Sequence, residues 1–162
     1  MTVSDIHATL DSLGITLPKV VPPVASYQPA VRSGNHVYVS GQLPMVEGEL
    51  PKKGKVGADL DTDAAYDLAR TCALNGLAAV ASIADLNDVT KIVKVTGFVA
   101  SAPGYNDQPK VINGASEVMG EIFQEAGKHA RAAVGVSELP LDAPVEVELI
   151  VELKAEAKNH LV

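Results

Sequence analysis

The chain has 162 residues, 47% of them hydrophobic and only 4% aromatic, which fits one domain whose core is built from Val, Ala, Leu and Ile. Thirteen Lys and Arg against 20 Asp and Glu give a net charge of −7, which repels phosphate backbones and anionic lipid and argues against a nonspecific nucleic-acid binder. The single cysteine, Cys72, excludes an internal disulfide, and no apolar run approaches the ~20 residues a bilayer requires. With neither a basic cap nor an apolar run at its amino terminus, the chain is expected to be soluble and cytoplasmic.

From Ser4 to Leu13, apolar Ile6, Leu10 and Leu13 at spacings of four and three predict a short amphipathic helix, with Ser4 as a possible cap and Gly14 as its end. Pro18, Pro22 and Pro23 forbid helix and predict an extended connector. Residues 1–23 are thus read as an opening addition that packs on the outside, 24–155 as the domain proper and 156–162 as a tail. Between Ala25 and Gln42 two alternating runs flank Ser33-Gly34-Asn35, where Gly and Asn supply the positive φ angles of a tight β-hairpin. Glu47 to Gly57, rich in Gly, Pro and Lys, reads as a surface loop.

Asp59 to Ala84 is the first long helix. Leu68, Cys72, Ala79, Val80 and Ile83 lie on one face, and Asp61 and Asp63 stand near the start, where the helix dipole favours anions. With no basic group placed to activate it, Cys72 reads as a small core residue. Val89 to Ala100 is a β-branched run expected to be a central strand, with Lys91 and Lys94 marking its ends or edge. After a loop from Ser101 to Asp107, a second long helix is expected from about Pro109 to Ala126. Its apolar stripe is Val111, Ile112, Val118, Met119, Ile122 and Phe123, and Gly127 stops it. Asn113, early in that helix, reads on its own as a surface residue.

The stretch from Arg131 to Leu153 reads as two strands joined by a proline-bearing loop. Val134 and Val136 alternate against Arg131, Ala133, Gly135 and Ser137; Val145, Val147, Leu149 and Val151 alternate against Glu146, Glu148 and Ile150. Glu148 and Glu152 read as solvated charges on the polar face of a half-buried strand. Arg131 and Glu146 stand apart, because the small-Arg-small-x-Val run, the Leu-Pro step and the closing Val-Glu-Val-Glu together resemble the carboxy-terminal signature of the RidA (YjgF/YER057c/UK114) family. Ser40-Gly41-Gln42-Leu43-Pro44 likewise resembles the family's SGQ-type strand end. Two positions depart: the family usually has Pro or Ala where His129 stands, and Met or Ile where Val147 stands.

The resemblance implies an α+β fold, a mixed β-sheet with two long helices on one face, similar to chorismate mutase of the Bacillus type. It implies a β-β-α-β-α-β-β order behind the added amino-terminal helix, and a trimer whose ligand clefts lie between subunits. It also implies hydrolysis of reactive 2-imino and 2-enamino acids without a cofactor. Arg131 and Glu146 take the catalytic positions, with Tyr27, Ser40, Gly41, Asn113 and Ala133 around the ligand. In chemical terms, the planar fork of Arg131 matches a carboxylate bidentately, and Glu146 could orient or deprotonate a water that attacks the C=N carbon. If the last two strands form a plain hairpin with Ser137 facing Glu146, Arg131 lies roughly 20 Å away, so the two residues would come from neighbouring protomers. His7, His36, His129 and His160 form no ligand spacing, and no metal is expected; His129 reads as a loop residue beside the arginine. A trimeric module that binds a small carboxylate without turning it over is the alternative, and a ribonuclease is disfavoured by the negative charge and the lack of a basic aromatic strip.

Overall fold

Strict alternation in the last strand fixes the two faces of the molecule. In the computed structural model, which describes residues 5–20 and 26–156, Val145–Leu153 buries Val145, Val147, Leu149, Val151 and Leu153 and turns Glu146, Glu148, Ile150 and Glu152 the other way. Each fully buried Val or Leu contributes roughly 1.5–3 kcal/mol. Five of them outweigh what exposed charges on the opposite face can add or subtract, at about 0–1 kcal/mol per pair.

This strand, β5, lies in a five-stranded sheet with β1 (Ala30–Ser33), β2 (His36–Gln42), β3 (Val89–Ala100) and β4 (Ala130–Val136). The order across the sheet is β1-β2-β5-β3-β4, and every pairing is antiparallel except β3 with β4. Helices α2 (Thr62–Ala81) and α3 (Gln108–Phe123) cover one face. The architecture is the α+β fold expected, a mixed sheet with two long helices on one side. Its β1–β2 turn is Gly34-Asn35, with Gly34 at φ 60°.

The last two strands do not form the hairpin expected from their closeness in sequence. β3, α3 and β4 make a parallel crossover unit, so β4 takes one edge of β3, and β5 runs antiparallel along the other. β3 therefore separates β4 from β5. The connection passes through Leu141 and Asp142, both at φ 61°.

The first helix, α1 (Ile6–Ser12), is capped by Asp5, whose side chain accepts from the His7 amide; Ser4 lies outside the described residues. It does more than pack on the outside, since Ile6 and Leu10 are buried in the common core and the Ile6 amide donates to Asn87. Pro22, Pro23 and residues 157–162 also lie outside the described residues. α2 starts at Thr62 with Asp61 as its cap, and Ile83 falls past its end, exposed. Cys72 is fully buried against the sheet, and burial pushes its thiol well up from the ordinary cysteine value, which leaves it protonated and inert. The loop at 47–57 is stitched in: Val56 is fully buried and its amide donates to the Ala100 carbonyl. Among the described residues no helix is long and apolar enough to cross a membrane.

Candidate functional site

The strand register sorts the predicted residues onto opposite faces of the sheet. On β4, Arg131 pairs with Val95, Ala133 with Gly97 and Gly135 with Val99, all on the helix-covered face. Arg131 sits at the sheet edge rather than in the interior, and its side chain is exposed. There it meets α3. Its Nη1 donates to Asn113 Oδ1 at 2.7 Å and to Ser116 Oγ at 3.3 Å. Asn113 and Ser116 are three apart on one helix, so they present one face to the strand. Among the described residues Arg131 has no acidic partner within 4.0 Å; neutral oxygens hold it and leave its charge uncompensated.

Asn113 therefore belongs beside Arg131, contrary to the surface role its sequence position gives it unaided. Ser116 was not singled out by the sequence; the three-residue spacing from Asn113 is the signal that could have found it. His129, expected in an exposed loop, is half-buried just before β4. Its Nε2 lies 2.9 Å from Ser116 Oγ, and its Nδ1 lies 2.6 Å from the Gly127 carbonyl. Ala133, two residues past Arg131 on the same face, is partly buried against the core.

Glu146 lies on the open face. It pairs with Phe98, which in turn pairs with Val134 of β4. The carboxyl is half-buried, and its pKa is raised from the usual glutamate value, first by burial and then by the nearby charge of Glu148. Gly41 explains how the carboxylate fits. A Cβ at Gly41 would stand 2.5 Å from Glu146 Oε1, so glycine there leaves the space that the carboxylate fills in this position. The β2–β5 register breaks between Val39 and Gln42, and this irregularity presents Ser40 and Gly41 at the rim. Ser40 donates its hydroxyl to the Gln28 carbonyl and its amide to the Pro29 carbonyl. That clamps the segment carrying Tyr27, which is exposed and precedes β1 instead of lying within it.

Two half-sites result. One is Arg131 with Asn113, Ser116 and Ala133; the other is Glu146 with Gly41, Ser40 and Tyr27. Within one protomer they are three residues apart along the strands and two strands apart across the sheet, about 10 Å in each direction, with side chains on opposite faces. The hairpin that the sequence suggests is absent, and it is β3 and the sheet itself that separate the two residues within one protomer. A shallow groove of about 410 Å³ beside Ser116, Gly120, Lys128 and His129 includes neither Arg131 nor Glu146. No group of three or more His, Cys, Asp or Glu among the described residues could hold a metal ion.

The chain and its fold have known counterparts. Residues 7–153 match the family model described as "YjgF/chorismate mutase-like, putative endoribonuclease". The chain belongs to the YjgF/RidA family. It is 36% identical over 141 residues to the 2-iminobutanoate/2-iminopropanoate deaminase of Dermatophagoides farinae, covering 86% of this chain and 95% of that one. Among solved structures it resembles the Agrobacterium tumefaciens protein Atu1372, with TM-score 0.84, 45% identity, and 93% and 94% of the two chains covered. It also resembles E. coli TdcF solved with bound serine, with TM-score 0.61, 26% identity, and 83% and 93% covered. The YjgF/RidA assignment spans the whole sheet and both long helices, from α1 to the end of β5.

Proposed function

We propose that the protein hydrolyses reactive 2-imino acids, and their 2-enamino tautomers, to 2-keto acids and ammonia in clefts between the subunits of a homotrimer. The observation that carries this reading is the Arg131 guanidinium, exposed and oriented by neutral acceptors, with no acidic partner among the described residues. Such a fork is built to take a carboxylate from outside. Glu146 of the neighbouring protomer, with its raised pKa, supplies the proton relay. It accepts a proton from a water whose oxygen attacks the C=N carbon while the bond's electron pair moves to nitrogen. It then returns that proton to the nitrogen, giving the carbinolamine, and in a second relay it takes the carbinolamine's hydroxyl proton and passes it to the nitrogen, so that the C–N bond breaks and ammonia leaves as the carbonyl forms. Such imines already hydrolyse in water, so positioning and modest acid-base help suffice.

The open face of the sheet supports assembly into the trimer. Val31, Tyr38 and half-buried Ile150 form one apolar row there and Val134 with half-buried Phe98 a second; Val31, Tyr38 and Val134 are 52%, 49% and 44% exposed. A cluster of this kind is covered when sheets from several copies pack together. We place the protein in the cytoplasm, and assign no cofactor to the reaction. The test is to generate 2-iminobutanoate with a dehydratase and follow 2-oxobutanoate release with and without the protein. Arg131→Ala should cost at least about 100-fold, since a lost bidentate charged contact exceeds the ~1.5–3 kcal/mol of a single charged hydrogen bond. Equal release with and without the wild-type protein would defeat the proposal.

A second reading is supported by the serine-bound TdcF structure: the same arginine could capture a small carboxylate metabolite without turnover. Saturable binding of 2-oxobutanoate with no acceleration of imine hydrolysis would establish it. Ribonuclease activity, which the family description names, is disfavoured here by the net charge of −7.

A further inference from the structure

We infer that His129 is a positioning residue that fixes the anion-binding plane of Arg131 through Ser116, an inference that rests on Arg131 holding the substrate carboxylate. For a neutral imidazole the hydrogen bonds have only one consistent direction. The Gly127 carbonyl can only accept, so His129 Nδ1, 2.6 Å away, carries the ring proton. In the neutral ring Nε2 is then an acceptor. It takes the proton of Ser116 Oγ at 2.9 Å. With its one proton committed there, Ser116 turns its lone pairs outward and accepts from Arg131 Nη1 at 3.3 Å, while Asn113 Oδ1 accepts from the same nitrogen at 2.7 Å.

The chain Gly127, His129, Ser116, Arg131 is therefore polarised from end to end. Without the histidine, the serine hydroxyl is free to rotate and to present its proton, instead of a lone pair, to the guanidinium. The opposite edge of the guanidinium, Nε and Nη2, makes no hydrogen bond among the described residues and is left for the ligand. A Pro or Ala, usual at this position in the family pattern, offers no ring nitrogen to set the serine. In this chain orientation of the arginine has been given to a side chain whose donor pattern is fixed by the turn at the end of α3.

The rival role for His129 is purely structural, a stopper bonding the Gly127 carbonyl. Ser116→Ala separates the two, because it cuts the link to Arg131 and leaves the His129–Gly127 bond intact. The experiment measures 2-oxobutanoate affinity by calorimetry, and KM and kcat for 2-iminobutanoate, on wild type, Ser116→Ala, His129→Phe and the double variant. Each single variant should raise Kd and KM about three- to tenfold, the worth of one hydrogen bond, with kcat within about twofold; the double variant should cost no more than either single. Nitrogen-15 NMR of the wild-type imidazole should show the Nδ1-protonated neutral tautomer.

Unchanged affinity in Ser116→Ala, additive losses, or an Nε2-protonated ring would each overturn the inference. Should the wild type bind 2-oxobutanoate but hydrolyse no imine, the hydrolytic reading falls and the positioning role stands on the affinity data. Should it bind no 2-oxobutanoate, both fall.

Discussion

Two glycines on α3 give opposite forecasts for the same substitution. Gly114 stands where α3 crosses α2, and a Cβ there would lie 2.0 Å from the Tyr66 carbonyl oxygen and 3.2 Å from the Arg70 nitrogen. Both obstacles are backbone, so no rotamer change relieves the clash and α3 must move off α2. At Gly120, six residues on, a Cβ meets nothing within 4 Å. Replacing a mid-helix glycine by alanine gains about 1 kcal/mol in helix propensity. At Gly120 that gain stands alone, and Gly120→Ala should raise Tm by roughly 2–4 °C for a chain of this size. At Gly114 overpacking opposes it with about 2–3 kcal/mol, the upper part of the usual range, because rigid backbone is the obstacle. The clash wins because it is backbone on backbone, and Gly114→Ala should lower Tm by roughly 2–8 °C. Since Asn113 is the adjacent residue, the shift also withdraws it from Arg131, so 2-oxobutanoate affinity should fall in Gly114→Ala and hold in Gly120→Ala. Circular-dichroism melts at matched protomer concentration provide the test. A Gly114→Ala protein melting at or above the wild-type temperature would refute the packing argument.

Gly41→Ala should cut imine hydrolysis at least about tenfold with little change in Tm, because the added methyl displaces a side chain, the Glu146 carboxylate, and not backbone; a wild-type rate would detach Gly41 from the site. Glu146→Gln tests the raised pKa through stability. A carboxyl whose folded pKa exceeds its unfolded value binds more protons when folded, so it costs stability as pH rises through that interval. Glu146→Gln should thus melt above the wild type near pH 7, with the gain closing below the ordinary glutamate range at about pH 4. A constant difference across pH would contradict the desolvation argument. In the wild type, the acid limb of kcat/KM should lie above the ordinary glutamate range, for the same reason.

Elements with an unambiguous hydrophobic period were legible in the sequence: the strand from Val89 to Ala100, the stripe from Val111 to Phe123, and the alternation from Val145 to Val151 all appear where expected. Strand order was not legible. Periodicity says which residues share a face, but whether β4 or β5 neighbours β3 depends on long-range pairing, and the short Pro140–Asp142 connection imitates a hairpin. Loop burial was hidden for a similar reason, since Val56 is pulled inside by a bond to a strand 44 residues away. At the site, Arg131, Glu146 and Asn113 came from the family resemblance. Ser116 and the role of His129 did not, because they depend on how far side chains reach between α3 and the turn before β4.

The central claim is that each site takes Arg131 from one protomer and Glu146 from its neighbour. It is tested most directly by co-expressing Arg131→Ala and Glu146→Gln chains under different tags and isolating the mixed trimers. Each parent alone should be inactive. In a mixed closed ring one of the three interfaces joins an intact Arg131 to an intact Glu146, so about one third of wild-type activity should return. Mixed trimers no more active than the parents would show that no site is shared between subunits.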